Sequence, residues 1–404
     1  MKRKHIILIL LFVLAVNFLV ACNHEDFFKM EEKKTSIDNE IKTEDENLEI
    51  AEPEIPSPKT TSASILAAGD IMFHMPQNKA AFNPNTGSYD YSDNFKYVKK
   101  YTESVDLAMA NFETVVAGEG KSYSGFPNFN SPAETLMAIK DAGFHILSTA
   151  NNHCLDQGKT GLINTIDAIE NAGMKNIGTY KLPNTPIMIK EVNEIKIALL
   201  SYTYGFNGMD FTLTEEERQY MVNKIQEDKI KSDIEKAKEL DVDTVIVFIH
   251  WGEEYVKEPT EDQIDLGRKM VEWGANIVFG SHPHVIQKSE IIHHNGQDNY
   301  IIYSMGNFLS NQRREILNNK FTEDGIMVKV NLEKDFSEDK TLITNIEHIP
   351  TWVRRYKSGN KLKYEILPVE EFIGNEELFN ALGEEEKTRV KEAFKDTMEL
   401  MIEY

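Results

Sequence analysis

The sequence predicts an α/β protein in which two mixed sheets face each other and carry helices on their outer sides. Three observations lead there. Five short, β-branched or aromatic-rich runs, Ser64 to Ala68, Val105 to Ala110, Phe144 to Ala150, Val242 to Ile249 and Ile277 to Phe279, read as buried strands. The segments between them carry helical periodicity with start and stop signals. Further on, Glu290 to His293, Tyr300 to Ser304, Gly325 to Leu332 and Thr341 to Ile349 read as an antiparallel set. A strand–helix first half and a mainly sheet second half are both satisfied by two sheets packed face to face.

Taken in order, the chain opens on the basic Met1-Lys2-Arg3-Lys4, an apolar stretch from Ile6 to Val20 broken only by Asn17, and then Ala21-Cys22. Residues 1–22 read as a lipoprotein signal cut before Cys22, which then carries lipid; a plain transmembrane anchor is the competing reading. Both place the remaining chain at the extracytoplasmic face of a cell membrane. Residues 23–62, rich in Glu, Asp, Lys and Thr with Pro53, Pro56 and Pro58, form an acidic tether that buries too little apolar surface to fold. A folded domain is expected over 63–350, followed by a helical extension over 351–404. With only two cysteines in the chain, lipidation of Cys22 leaves Cys154 without an intrachain partner, so core packing and any metal must hold the fold.

Within the domain, Ser92 to Ser104 reads as helical, and Ser131-Pro132-Ala133-Glu134 starts a helix that runs to Asp141 and stops at Gly143. Another helix spans Gly161 to Asn171. Strands at Pro186 to Lys190 and Ile195 to Tyr202 are close enough to form a hairpin. Thr214 to Leu240 reads as one long amphipathic helix, and Thr260 to Trp273 as the helix before the Ile277 strand.

The 404 residues carry a formal net charge of -22, which excludes a sequence-independent grip on nucleic acid. An acidic polymer would be repelled too, unless bound divalent cations inverted the sign locally.

The five strands end in Gly69-Asp70, Asn111-Phe112-Glu113, Asn151-Asn152-His153, His250-Trp251-Gly252-Glu253 and Gly280-Ser281-His282-Pro283-His284. Ligands of α/β proteins sit outside the carboxyl ends of strands, so these side chains can converge. Singly, each cluster has an ordinary explanation as a turn, a cap or a satisfied core group. Together, carboxylates, an amide and imidazoles without thiolate suit Mn²⁺, Zn²⁺ or Fe²⁺. In His282-Pro283-His284 the proline is expected to extend the backbone, so that both imidazoles aim at one centre.

These blocks, with Tyr303-Ser304-Met305-Gly306-Asn307-Phe308, resemble the CapA family of poly-γ-glutamate capsule biosynthesis proteins over about Ser64 to Pro350. That family is similar in turn to the calcineurin-like metallophosphoesterases, which implies a four-layer α-β-β-α sandwich around one or two divalent metals. By that resemblance Asp70 and His284 hold the first metal, Glu113 bridges, Asn152, His250 and His282 hold the second, and His153 acts as general acid. Trp251, Glu253, Tyr255 and Asn307 line the pocket. Where the phosphoesterases have a histidine two residues after the first Asp, this chain has Met72, and His74 is the nearest substitute.

Two functions follow from the resemblance. One is a surface-tethered metal-dependent hydrolase, phosphoesterase-like in chemistry, acting on a phosphate ester or on an amide or carboxylate group of polyglutamate. The other is a non-catalytic scaffold that supports the membrane subunits of a polyglutamate synthase or guides the anionic polymer.

Overall fold

The computed structural model describes residues 59–118, 120–401 and 404. The expected signal with Cys22, and the tether as far as residue 58, lie outside the described residues. The strands in chain order are β1 (Thr60–Ile71), β2 (Phe82–Asn83), β3 (Ser88–Tyr89), β4 (Leu107–Phe112), β5 (Ile146–Ser148), β6 (Lys175–Ile177), β7 (Met188–Val192) and β8 (Ile195–Thr203). They continue with β9 (Thr244–His250), β10 (Ile277–Ser281), β11 (Ser289–His294), β12 (Gln297–Ile302), β13 (Asn307–Leu309), β14 (Asp324–Asp335), β15 (Lys340–Ser358) and β16 (Lys361–Pro368).

Two large mixed sheets result. The first has the order β16-β15-β14-β1-β4-β5-β6, with β13 also pairing β1; the second runs β11-β12-β10-β9-β8-β7. In the first, β1, β4, β5 and β6 are parallel while β14 to β16 are antiparallel. In the second, the parallel strands β8, β9, β10 and β12 are flanked by the antiparallel edges β7 and β11.

Side chains alternate across each strand, and that alternation builds the layers. Ile65 and Ala67 of β1 and Met109 of β4 face a central core shared with Ile197, Phe248 and Phe279 of the second sheet. Leu66, Ala68 and Ala110 face outward onto Ile139 and Ile169 of the helices Glu134–Asp141 and Gly158–Asn171. On the other side, Leu200 and Val247 pack on Ile234 and Met270 of the helices Glu227–Glu239 and Glu261–Trp273. The fold is thus an α-β-β-α sandwich with three stacked apolar layers. Truncating Phe248 between the sheets would cost about 3–5 kcal/mol.

Several local expectations change. The helix foreseen over Thr214 to Leu240 is two, Glu215–Arg218 and Glu227–Glu239. Between them Val222 and Lys224 bridge to Thr179 and Thr203, and Asn223 donates to the Ser201 carbonyl, so pairing with β8 overrides helical propensity. Ser92 to Ser104 holds two short helices instead of one. Ser131 does not cap the next helix, which begins at Glu134; its hydroxyl faces Thr114 at 2.8 Å. The expected antiparallel set is split, with β11 and β12 in the second sheet and β14 and β15 in the first. The boundary drawn at residue 350 falls inside β15, and β16 continues the same sheet, so only the part from Val369 onward is helical. β1 begins at Thr60, inside the expected tether.

Candidate metal centre

The carboxyl ends of β1, β4, β9 and β10 meet where the two sheets come together. Two glycines allow it. A Cβ on Gly69 would lie 2.0 Å from the Gly306 carbonyl oxygen, and one on Gly280 2.0 Å from that of Tyr303, so any side chain would push these strand ends apart. The register of β1 against β4 slips between Ala68 and Asp70, a bulge that re-aims Asp70. Asp70 then sits opposite Asn111 of β4 and Asn307 of β13.

Six of the expected donors come together, all buried: Asp70, Glu113, Asn152, His250, His282 and His284. Glu113 Oε1 lies 3.6 Å from His250 Nε2 and 3.7 Å from His284 Nε2. His250 Nε2 is 3.0 Å from Asn152 Oδ1, while its Nδ1 is 3.0 Å from the Ser281 hydroxyl, which turns Nε2 into the site. His284 Nδ1 is 3.0 Å from Asp70 Oδ2. Two ligands each ~2.0–2.2 Å from one cation stand about that far apart.

Three sets of groups have ligand atoms within 4.8 Å of one another: Glu113, His250 and His282; Asp70, Glu113 and His284; and Glu254, His282 and His284. Glu113 Oε1 and His282 Nδ1 are buried with no hydrogen-bond partner. Buried polar atoms are normally satisfied, so these two mark where another group belongs. Burial, and then the Asp70 carboxylate, push the Glu113 carboxyl well above its usual range. Burial, reinforced by the neighbouring imidazoles, holds His250 well below its ordinary value and His282 down at about 2. Neutral imidazoles with free lone pairs beside two buried acids fit a divalent cation.

His282 and His284 converge, but not by the extended backbone expected of the proline. Their φ angles are 100° and 57°, left-handed values costing about 1–3 kcal/mol each in a non-glycine residue. The turn, not a strand-like alternation, brings the rings to 5.9 Å.

Tyr255 lies beside His284 with ring centroids 6.0 Å apart, and Asn307 donates to the His284 carbonyl, so both stand at the site. Trp251 and Glu253 line an adjoining cavity together with Tyr204 and Thr260. Trp251 is anchored there by packing on Leu266 and Tyr303 and by donating to the Tyr303 carbonyl at 2.9 Å, and Glu254 is the acid within reach of His282 and His284. His74, the nearest histidine to Met72, has its Nδ1 3.3 Å from both Gln77 Oε1 and the Asn311 amide nitrogen and enters none of the three donor sets among the described residues.

His153 stands next to Asn152 and donates from Nδ1 to Asp156 Oδ2 at 2.8 Å, with Phe129 edge-on to its ring. Asp156 Oδ2 also accepts from the Phe129 amide at 2.7 Å. Sequence reasoning assigned no role to Asp156; the i,i+3 spacing from His153 was the available signal. It also gave no role to Asn111, whose amide donates to Asp70 Oδ1 at 2.8 Å and Glu113 Oε2 at 3.3 Å. Tyr204, with its ring 4.5 Å from His282, follows the apolar β8 and carried no signal.

Residues 64–312 match the family described as bacterial capsule synthesis protein PGA_cap. The chain is 33% identical over 228 residues to a capsule biosynthesis protein CapA of Bacillus anthracis, covering 54% of each chain. It is 30% identical over 298 residues to a PGA biosynthesis protein CapA of Bacillus subtilis, covering 70% of this chain and 72% of that one. A solved calcineurin-like phosphoesterase from Bacillus subtilis is similar at 13% identity with a TM-score of 0.41, over 84% of this chain and 99% of that one. The match to the first relative thus spans about half that protein's length. With its matched region holding the whole strand-end cluster, this chain belongs to the PGA_cap family of bacterial capsule synthesis proteins.

Proposed function

We propose that this chain is a membrane-anchored, metal-dependent hydrolase with phosphoesterase-like chemistry that serves the assembly or export of capsular poly-γ-glutamate. The observation that carries the reading is the buried carboxylate–imidazole cluster, with Glu113 Oε1 and His282 Nδ1 unsatisfied, set beside a His153–Asp156 pair. The biosynthetic names of the two CapA relatives supply the polymer context.

Asp70, Glu113 and His284 would hold one cation and Glu113, Asn152, His250 and His282 a second. A cation bound there supplies Lewis acidity and activates water near neutral pH. The chain's own residues do the rest. Asp156 holds His153 Nδ1–H, so Nε2 faces the reacting group, and in the protonated imidazolium it is the Nε2–H that would pass to a leaving group. Asn111 donates to both Asp70 and Glu113 and fixes their carboxyls, and Ser281 orients His250. Tyr204 and Tyr255 flank the imidazoles, where they would exclude water from one side of the substrate. Lipid on Cys22 would hold the domain at the extracytoplasmic face, near the membrane subunits of a polyglutamate synthase.

The test compares full-length wild type with His153→Ala, Asp156→Asn and His282→Ala for bound metal, hydrolysis of a phosphodiester and of oligo-γ-glutamate, and polymer output in cells. His282→Ala should lose metal and activity. His153→Ala should keep metal and lose about 10²–10⁴-fold in rate, with Asp156→Asn between it and wild type. Full polymer output from His153→Ala, together with loss of output when Cys22→Ser detaches the chain, would overturn catalysis in favour of a scaffold.

A further inference from the structure

A cavity of about 470 Å³ opens between the Arg313–Arg314 segment, β15 and the start of the helix Glu384–Met398. Four guanidinium groups line it, from Arg313, Arg314, Arg355 and Arg389. Four carboxylates line it too, from Glu315, Glu323, Glu385 and Glu386, so what matters is which charges lack a partner.

The acids around it are mostly committed. Glu323 accepts from the Arg314 amide at 3.0 Å and from Trp352 Nε1 at 3.1 Å, and pairs with Arg313 at 3.1 Å and Arg389 at 3.5 Å. Glu386 is held by Arg354, and Glu315 by Arg355. Two charged side chains remain. Among the described residues the half-buried Arg314 guanidinium pairs with no acid, and the exposed Glu385 on the first turn of the helix pairs with no base. Deeper in the cluster, the Nε atoms of Arg313 and Arg389 are buried without a hydrogen-bond partner.

A free guanidinium, a second one in Arg355 that also meets Glu315, Asn311 and Tyr364, and one free carboxylate ask for a ligand with carboxylate oxygens and N–H donors together. A polyphosphate is as anionic but has no N–H groups to offer Glu385; an acidic polyamide offers carboxylates to the guanidinium groups and N–H donors to Glu385. The position fits as well. Asn307 pairs with Asp70 at the metal centre, and the chain from Asn307 to Arg314 spans at most about 25 Å. Asn311 on this segment contacts His74 on one side and Arg355 on the other.

We propose that this arginine-lined cavity binds carboxylate side chains of an acidic polyamide and holds the polymer within reach of the strand-end centre. The polyglutamate reading above supplies the polymer, but the cavity's ligand class stands on its own residues.

The experiment measures fluorescence anisotropy of a labelled γ-glutamate decamer, and separately of an α-aspartate decamer, against full-length wild type and Arg314→Ala. Thermal unfolding and bound metal check that the variant keeps its fold and centre. Arg314→Ala should bind the γ-glutamate decamer about tenfold more weakly, with the difference shrinking as salt rises. If only the aspartate decamer binds, and does so through Arg314, the cavity's ligand class holds while the polyglutamate reading fails. If wild type and Arg314→Ala bind equally, or neither decamer binds wild type, the proposal is overturned whatever the catalytic activity.

Discussion

Under the helix Glu384–Met398, Arg389 meets Asp324 at 2.9 Å and Arg313 meets Glu323 at 3.1 Å; at the strand ends, Asp70 and Glu113 meet each other, amides and imidazoles, and no guanidinium or ammonium group. Both clusters are buried to a few per cent exposure. The first contains its own cations, which oppose burial without overcoming it: Asp324 is still pushed up to about 7 and Arg313 is still held below its ordinary value, while the pairs tie the C-terminal helix to β14. In the second, two acids and three imidazoles face one another with no basic side chain among the donors, and burial raises Glu113 while lowering His250 and His282. Charged groups serve the fold where their partners are supplied by the chain, and serve a ligand where they are not.

The comparison breaks most visibly if the arginine cluster is cut. Arg389→Met leaves Asp324 and Glu323 short of a buried partner and should cost about 3–5 kcal/mol in urea unfolding of the full chain. A cost below about 1 kcal/mol would mean the cluster is not self-neutralising. The opposite sign is expected at the strand ends. Glu113→Gln should leave metal-free stability unchanged or raise it by about 1 kcal/mol, because a neutral amide needs no proton taken up on folding, while cation affinity falls by at least about 100-fold in a metal titration.

The pH dependence sharpens the same contrast. Because its pKa is raised on folding, Glu113 keeps a proton that the unfolded chain releases. Its contribution to metal-free stability is therefore fully present below the ordinary carboxylate range and is lost as pH rises towards the raised value. A cation displaces that proton, so affinity should climb with pH by up to about tenfold per unit across this window. Calorimetric titrations at several pH values would show it, and a pH-independent affinity would remove Glu113 from the ligand set. The smallest effect belongs to the surface. Lys395→Ala removes a mostly exposed pair with Glu399, 3.7 Å away, and should shift stability by less than about 0.5 kcal/mol in the same unfolding assay.

The strand runs from Ser64, Val105, Val242 and Ile277 were legible because a buried parallel strand is a local apolar pattern, and each became β1, β4, β9 or β10. Helices with local start signals were legible too, as at Thr260, whose hydroxyl accepts from the Gln263 amide. Trp251 and Glu253 line the cavity beside the donor cluster rather than joining it, because residues after a strand end turn to either side and nothing in His-Trp-Gly-Glu tells which. The helix across 214–240 failed because β8 and Gly178 recruit the backbone around Val222 to Lys224, a competition that helical periodicity does not record. The His153–Asp156 pair lay within four residues, yet its meaning depends on the Phe129 amide that fixes the carboxylate from 27 positions away.

By itself the sequence determined which residue types reach the strand ends and the alternation that stacks three apolar layers, because both are set by neighbours a few positions apart. Only the tertiary structure decided that Asp70 and His282, 212 positions apart, share one centre, that Gly69 and Gly280 admit a neighbouring carbonyl, and that four arginines surround one cavity. Those facts depend on which strands pair and how closely their backbones approach, and such long-range pairing leaves no periodic trace in a single chain.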